Sequence, residues 1–365
     1  MYLALARKAI KRNSVTASFL NFALREDYAM PRHVGTLGDD VLEVAGFEDI
    51  LVGDALDMLR SKGGDDALGG TGYSVTLLGE AEKMTSSKGG NDTLVGGGNA
   101  PVLYGEAYIM TSSKGGDDTL TAGGGNYVGL TGDAATMISS KGGDDTLTST
   151  SGRYGYLTGD ARTMTSSKGG NDIITSASPG IVIGDASEMV GSKGGNDILI
   201  GAQSVYAGTP NELYGDAVSM IASKGGNDLL TGRTNPVGNA LYGDAQSGHD
   251  GSKGGDDRLI SAANTTDHMW GDFKDKDGSV KGGKDAFVFG PNNGTDFIYD
   301  FERGKDTIEL RGISKVSSFK DIKLHAIDTN NDKIADSVLI NFDGNNSITV
   351  HNVTSLAARD FLIYA

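Results

Sequence analysis

Lys114-Gly115-Gly116-Asp117-Asp118-Thr119-Leu120 is the stretch on which the reading of this chain turns. The Lys-Gly-Gly that opens it occurs nine times, at Lys62, Lys88, Lys114, Lys141, Lys168, Lys193, Lys224, Lys253 and Lys281, with spacings of 26, 26, 27, 27, 25, 31, 29 and 28 residues. A period this steady marks one supersecondary unit stacked on itself, so function belongs to columns of equivalent residues and not to a single pocket.

Each Gly-Gly is followed by a variable residue: Asp65, Asn91, Asp117, Asp144, Asn171, Asn196, Asn227, Asp256 or Lys284. An aspartate then stands in every copy: Asp66, Asp92, Asp118, Asp145, Asp172, Asp197, Asp228, Asp257 and Asp285. Two residues later comes a large apolar side chain, from Leu68 and Leu94 to Leu259 and Phe287, which is the placement of an inward-facing strand position. A second block, Gly-Asp-Ala or Gly-Glu-Ala, contributes Asp54, Glu80, Glu106, Asp133, Asp160, Asp185, Asp216 and Asp244, and its ninth copy has degenerated to Gly271-Asp272-Phe273.

These repeats resemble the glycine-rich nonapeptide of the hemolysin-type (RTX) calcium-binding family, whose turns stack into a parallel β-roll. The run Gly35-Thr36-Leu37-Gly38-Asp39-Asp40-Val41-Leu42 fits the nonapeptide at its fourth, sixth and eighth positions, and Leu51 follows Leu42 by nine. The resemblance implies an all-β fold: a parallel β-roll or β-helix solenoid of about ten coils. Its domains would be an N-terminal helical cap over residues 1–34, the roll over 35–286, and a C-terminal β cap with a secretion signal over 287–365.

The repeats depart from the nonapeptide in an orderly way. Two nonapeptides make a coil of 18 residues, and an insertion of 8 between Leu51 and Leu68 gives the 26 seen first. The opposite turn carries Val75 and Pro101 where an aspartate is expected. One edge is therefore read as charged and expanded, the other as a variable loop without obvious metal ligands.

Coils in a parallel stack lie about 4.8 Å apart, where neighbouring carboxylates repel by roughly 1 kcal/mol in water and several-fold more when partly buried. Such columns call for cations, and Ca²⁺ suits them because it takes 6–8 oxygens from carboxylates and backbone carbonyls. The candidate ligands are the two acidic columns above together with Asp40, Asp272, Asp296 and Asp306. The competing reading is a metal-free ladder in which Lys62 and its equivalents pair with the aspartates. Charge favours calcium: in the first coil Asp54, Asp65 and Asp66 face the single Lys62.

The insertion has its own column, Met58, Met84, Met110, Met137, Met164, Met189 and Met220, each preceded by alanine at three residues, a spacing that suits one helical turn. A thioether row could ligate Cu(I), but no Cys or His accompanies it, so it reads as core filling. The column stops at Gly248.

Forty-eight acidic residues against 32 basic leave a net charge of −16, and glycine reaches 56 residues. A chain this acidic needs neutralising before it folds, which couples folding to calcium, and it lacks the basic face that nucleic acid requires. There is no cysteine, and no apolar run long enough to span a membrane. Residues 1–30 read as helical, through Leu3, Ala6, Ile10, Phe19 and Phe22, and as a cover for the open end of the first coil.

Two further nonapeptide remnants, Gly294-Thr295-Asp296-Phe297-Ile298 and Gly304-Lys305-Asp306-Thr307-Ile308, begin the C-terminal segment, which resembles the cap of the same secreted family. Val338 to Phe342 and Ser347 to Val350 alternate as a hairpin around Asp343-Gly344-Asn345-Asn346. Oxygen side chains alternate over Asp328, Asn330, Asp332 and Asp336, as a calcium loop or a solvated turn would place them. The last ten residues look like an uncleaved signal for a one-step type I secretion channel, or a last strand on the cap.

No catalytic signature occurs: His33, His249, His268, His325 and His351 are scattered, and the stretch before the roll is too short for a catalytic domain. The expected function is non-enzymatic: a secreted, calcium-binding structural protein of the cell surface or extracellular matrix, such as an adhesin or surface-layer subunit. Its partners would be calcium, the secretion channel, and cell-surface polysaccharide or copies of itself. The alternative is a polysaccharide-binding or polysaccharide-modifying protein, with Tyr104, Tyr206, Tyr214 and Tyr242 stacking on sugars.

Overall fold

The computed structural model describes residues 31–204, 208–343 and 345–365. Each repeat winds one coil with three short strands, as in Thr119–Gly123, Tyr127–Thr131 and Ala134–Ile138. Within the repeats each strand lies parallel on its predecessor and in register, apart from one shift between Ala122 and Gly123. Leu120 pairs with Leu94 and Leu147, Leu130 with Leu103 and Leu157, and Met137 with Met110 and Met164. The molecule is a parallel β-solenoid with three faces of 12, 14 and 9 strands, and nine coils carry all three.

The third face corrects the expected helical turn in the insertion. The ladder pairs Ala107 with Ala81 and Ile109 with Lys83 but skips the residue between. The strand kinks there, so alanine and methionine, three apart, both turn inward. Met84, Met110, Met137, Met164, Met189 and Met220 are fully buried against the alanine column. Burying one such side chain stabilises the fold by about 1.5–3 kcal/mol. The same packing accounts for Gly248: a Cβ there would lie 2.7 Å from the ring of Phe273, which takes the alanine place in the ninth coil and fills the space below it.

The main core is the column of leucines and isoleucines from the first two faces, continuous with Phe287, Ile298, Ile308 and the apolar residues of the C-terminal segment. That segment closes the solenoid. The second face turns antiparallel through Asn346–Val350, Ser337–Asp343 and Lys323–Ile327, matching the expected hairpin. Phe361–Tyr364 adds a last parallel strand beside Thr307–Arg311. At the other end, Arg32–Val34 is already a strand paired with Ile50–Val52; the helix expected over residues 1–30 lies outside the described residues. Among the described residues no helix is long and apolar enough to cross a membrane.

Candidate metal centre

The site is built where the third face turns into the first. In the coil around Lys141 the chain leaves its strand through Ser139 in the left-handed region at φ 50°, which turns Ser140 inward. Ser140 Oγ accepts the N–H of Ser113 at 3.1 Å and donates to the Ile138 carbonyl at 3.0 Å. Equivalent serines from Ser87 to Ser252 form the same ladder. Sequence reasoning missed this column, although a serine precedes Lys-Gly-Gly in eight of the nine copies.

Lysine comes next, and it points outward. The nine lysines stack in parallel bridges, all exposed, and no ion pair among the described residues includes one of them. The competing reading, a metal-free Lys–Asp ladder, is therefore not what the structure forms: the inner carboxylates it would pair with lie on the inner side of the same turn.

Three acidic or amide columns follow, each with its own bonding. The inner column, Asp66 to Asp285, is at most 3% exposed. Its Oδ1 atoms reach back one coil: Asp118 accepts the N–H of Asp92, Asp145 that of Asp118, and Asp172 that of Asp145, each at 2.7 Å. Asp40 begins this ladder and Asp306 ends it. The outer column, Asp65 to Lys284, is exposed and reaches forward: Asp117 accepts the N–H of Asp144 at 3.0 Å, and Asn171 that of Asn196 at 3.0 Å. A single acceptor oxygen suffices there, so Asn and Asp interchange. Lys284 ends the column because the next residue in register, Lys305, gives its N–H to the Glu302 carbonyl.

The third column, Asp54 to Asp272, is at most 2% exposed and accepts glycine N–H groups of the facing turn. Gly170 donates to Asp160 at 2.8 Å, Gly195 to Asp185 at 2.7 Å and Gly226 to Asp216 at 2.6 Å; Gly90 and Gly116 do the same to Glu80 and Glu106.

These bonds leave a surplus of oxygen. The Oδ2 atoms of the inner column from Asp66 to Asp285 are buried without a hydrogen-bond partner, as are one carboxylate oxygen each of Glu80, Glu106, Asp160, Asp185, Asp216 and Asp244. Glycines keep room beside them: a Cβ on Gly105 would lie 2.1 Å from Asp118 Oδ2 and 1.8 Å from the Gly132 carbonyl oxygen. Burial raises the pKa of Asp66 to about 7. Asp118 and Asp145 are held well above the usual carboxylate range, first by burial and then by neighbouring carboxylates.

Unpartnered buried carboxylate oxygens beside backbone carbonyls fit a hard cation taking several oxygens. Among the described residues no three His, Cys, Asp or Glu side chains form a cage of their own, so backbone carbonyls would complete any coordination shell.

Asp296 lies elsewhere. It stands on the opposite turn behind Asp267, whose N–H it accepts at 3.1 Å, in a buried row that continues through Asn239 and Asn211. This row corrects the expectation of a turn without ligand-type residues. Its signal was present in Asn211, Asn239 and Asp267, each two residues before an apolar strand position. Asp328 and Asp332 in the exposed 328–336 loop spend their oxygens on the N–H groups of Asn331, Lys333 and Ile334.

The proposed sugar platform is also altered. Tyr214 stacks on Tyr242 at 4.6 Å, and that ring on Trp270 at 4.7 Å, so their faces are already covered. Tyr104 meets Tyr108 edge to face, and Tyr206 lies outside the described residues. His268 and His351 come together at the end of this stack, against Tyr299.

Stacked Gly-Gly-x-Asp turns, a parallel solenoid and inward carboxylate columns define an RTX-type β-roll repeat protein. The chain belongs to the family described as Peptidase M10 serralysin C terminal, whose model matches residues 136–364. That family is the non-catalytic repeat part of its peptidases, a calcium-binding β-roll. No curated protein and no solved structure matches the chain.

Proposed function

We propose that this protein is a secreted structural β-solenoid of the cell surface or extracellular matrix that folds on Ca²⁺ after type I export. The observation that carries the proposal is the surplus of buried, unpartnered carboxylate oxygens repeated in register along the whole inner column and at six positions of the facing one. Without cations those carboxylates repel or must bind protons; with calcium shared between a carboxylate of one coil and a carbonyl of the next, they become the glue between coils. The inner column from Asp66 to Asp285 and the facing column from Asp54 to Asp272 supply the ligands, with Asp40 and Asp306 closing the ends. Membership of a calcium-binding repeat family supports both the ion and the export route.

The test is to strip the protein with chelator at neutral pH and return Ca²⁺ while following circular dichroism. The β signal should appear cooperatively with calcium. A solenoid already folded in chelator that takes up no calcium would overturn the proposal.

A further inference from the structure

The two ends of the solenoid are finished differently. At the C-terminal end the antiparallel hairpin and the last strand, Phe361–Tyr364, close the main core. The last strand of the third face, Phe273–Lys276, has Lys274, Asp275 and Lys276 exposed, a charged edge that discourages a further strand from adding.

The N-terminal end is left apolar. Three edge strands stop there, Val41–Val44, Arg32–Val34 and Ala55–Leu59, one for each face. Leu42 and Val44 open the main core half-buried, whereas Leu68 and Leu94, stacked in turn on Leu42, are at most 2% exposed. Leu37, Val41, Phe47, Leu56 and Leu59 are all exposed, Val41 at 81% and Leu59 at 65%. The rim around them is acidic, with Asp39, Glu43, Asp57 and Asp65 exposed against Arg60 and Lys62.

We infer that this end is a docking surface for residues 1–30 of the same chain, with the basic stretch Arg7, Lys8, Lys11 and Arg12 against the acidic rim and the stretch from Phe19 to Leu24 over the apolar residues. Three observations select this occupant over a second copy. The chain enters at the surface in question: Arg32 forms an ion pair with Glu82 of the third face at 2.7 Å. The first twelve residues hold four cations and no acid, which complements the rim, whereas two copies meeting end to end would set acid against acid. The area is small, since strands of three to five residues bound an end on the order of a few hundred Å², well short of the about 800 Å² per partner of a stable interface. A tethered segment needs no such area, because attachment keeps it at high effective concentration. The inference rests on the fold and the charge pattern and not on the calcium reading.

The chain has no cysteine, so a single introduced thiol reports on its own position. The test compares alkylation of Leu59→Cys with that of Leu362→Cys, which is 47% exposed at the opposite end, in the full chain with calcium saturating and each rate scaled to its value in denaturant. Leu59→Cys should react about tenfold or more slowly. Equal rates would overturn the inference, and that comparison needs no truncated chain to fold. Protection that grows with protein concentration would also overturn it, in favour of a second copy. Deleting residues 1–30 should restore labelling, and protection persisting in a folded deletion variant would place the cover elsewhere. Replacing Arg7, Lys8, Lys11 and Arg12 together with Gln should weaken protection, and unchanged protection would overturn the pairing with the rim. Calcium titration of the same samples reads the metal columns separately.

Discussion

The backbone N–H of Asp92 donates to Oδ1 of Asp118 at 2.7 Å, while Oδ2 of Asp118 is buried with no partner. One oxygen of each inner aspartate therefore joins coils and the other is left over. This division explains why the inner column is aspartate in all nine repeats while its exposed neighbour alternates with asparagine.

Asp118→Asn keeps an acceptor for the Asp92 N–H and removes a charge. Together with Asp145→Asn it should lower calcium affinity about tenfold or more, whereas Asp117→Asn should change little. Isothermal titration of the variants decides; unchanged affinity in the double variant would move the ligands to other residues.

Calcium-free stability should fall as pH rises. The inner carboxylates have raised pKa values in the folded state, about 7 for Asp66 and about 6 for Asp306, both through burial. Their protonated forms support the fold fully below the ordinary carboxylate range, and that support is lost as pH climbs through the folded values. In chelator, melting temperature should therefore decrease between about pH 4 and pH 7. Calcium binding should release protons, visible as a buffer-dependent heat.

Gly142 and Gly38 form a matched pair. A Cβ on Gly142 would lie 1.8 Å from Asp160 Oδ1 and 2.4 Å from Asp133 Oδ2, but one on Gly38 would meet nothing within 4 Å. Gly142→Ala should cost about 1–3 kcal/mol or more and weaken calcium binding, with Gly38→Ala near neutral. Denaturant melts of the calcium-loaded variants measure the difference.

Met137→Ala should cost about 2–5 kcal/mol by opening the third-face core. Gly248 and Phe273 should be coupled: Gly248→Met overpacks against the ring and Phe273→Ala leaves a cavity. The double variant restores the methionine–alanine pattern and should be more stable than the sum of the single effects predicts.

The period, the parallel stacking, the inward strand positions and the core role of methionine were all legible, because a repeat read nine times averages out local ambiguity. The third face was not. Ala134 and Met137 are spaced as on a helix, and only the skipped ladder position lets a strand turn both inward. Lysine orientation was equally hidden: spacing puts Lys141 near Asp145, and it takes the backbone path through Ser139 to send one out and the other in. The Asn211–Asp267 row was overlooked because the earlier coils carry Val75 and Pro101 at that place.

The two side-chain ladders run in opposite senses, the inner bonds reaching back one coil and the outer bonds reaching forward. Within these two ladders a coil in the middle of the stack therefore takes from and gives to each neighbour the same set of bonds, and nothing in them records its position. Excising or duplicating one whole repeat would rejoin both of these ladders, so the length of the molecule is a property that can change in unit steps while the chemistry of its charged edge stays the same.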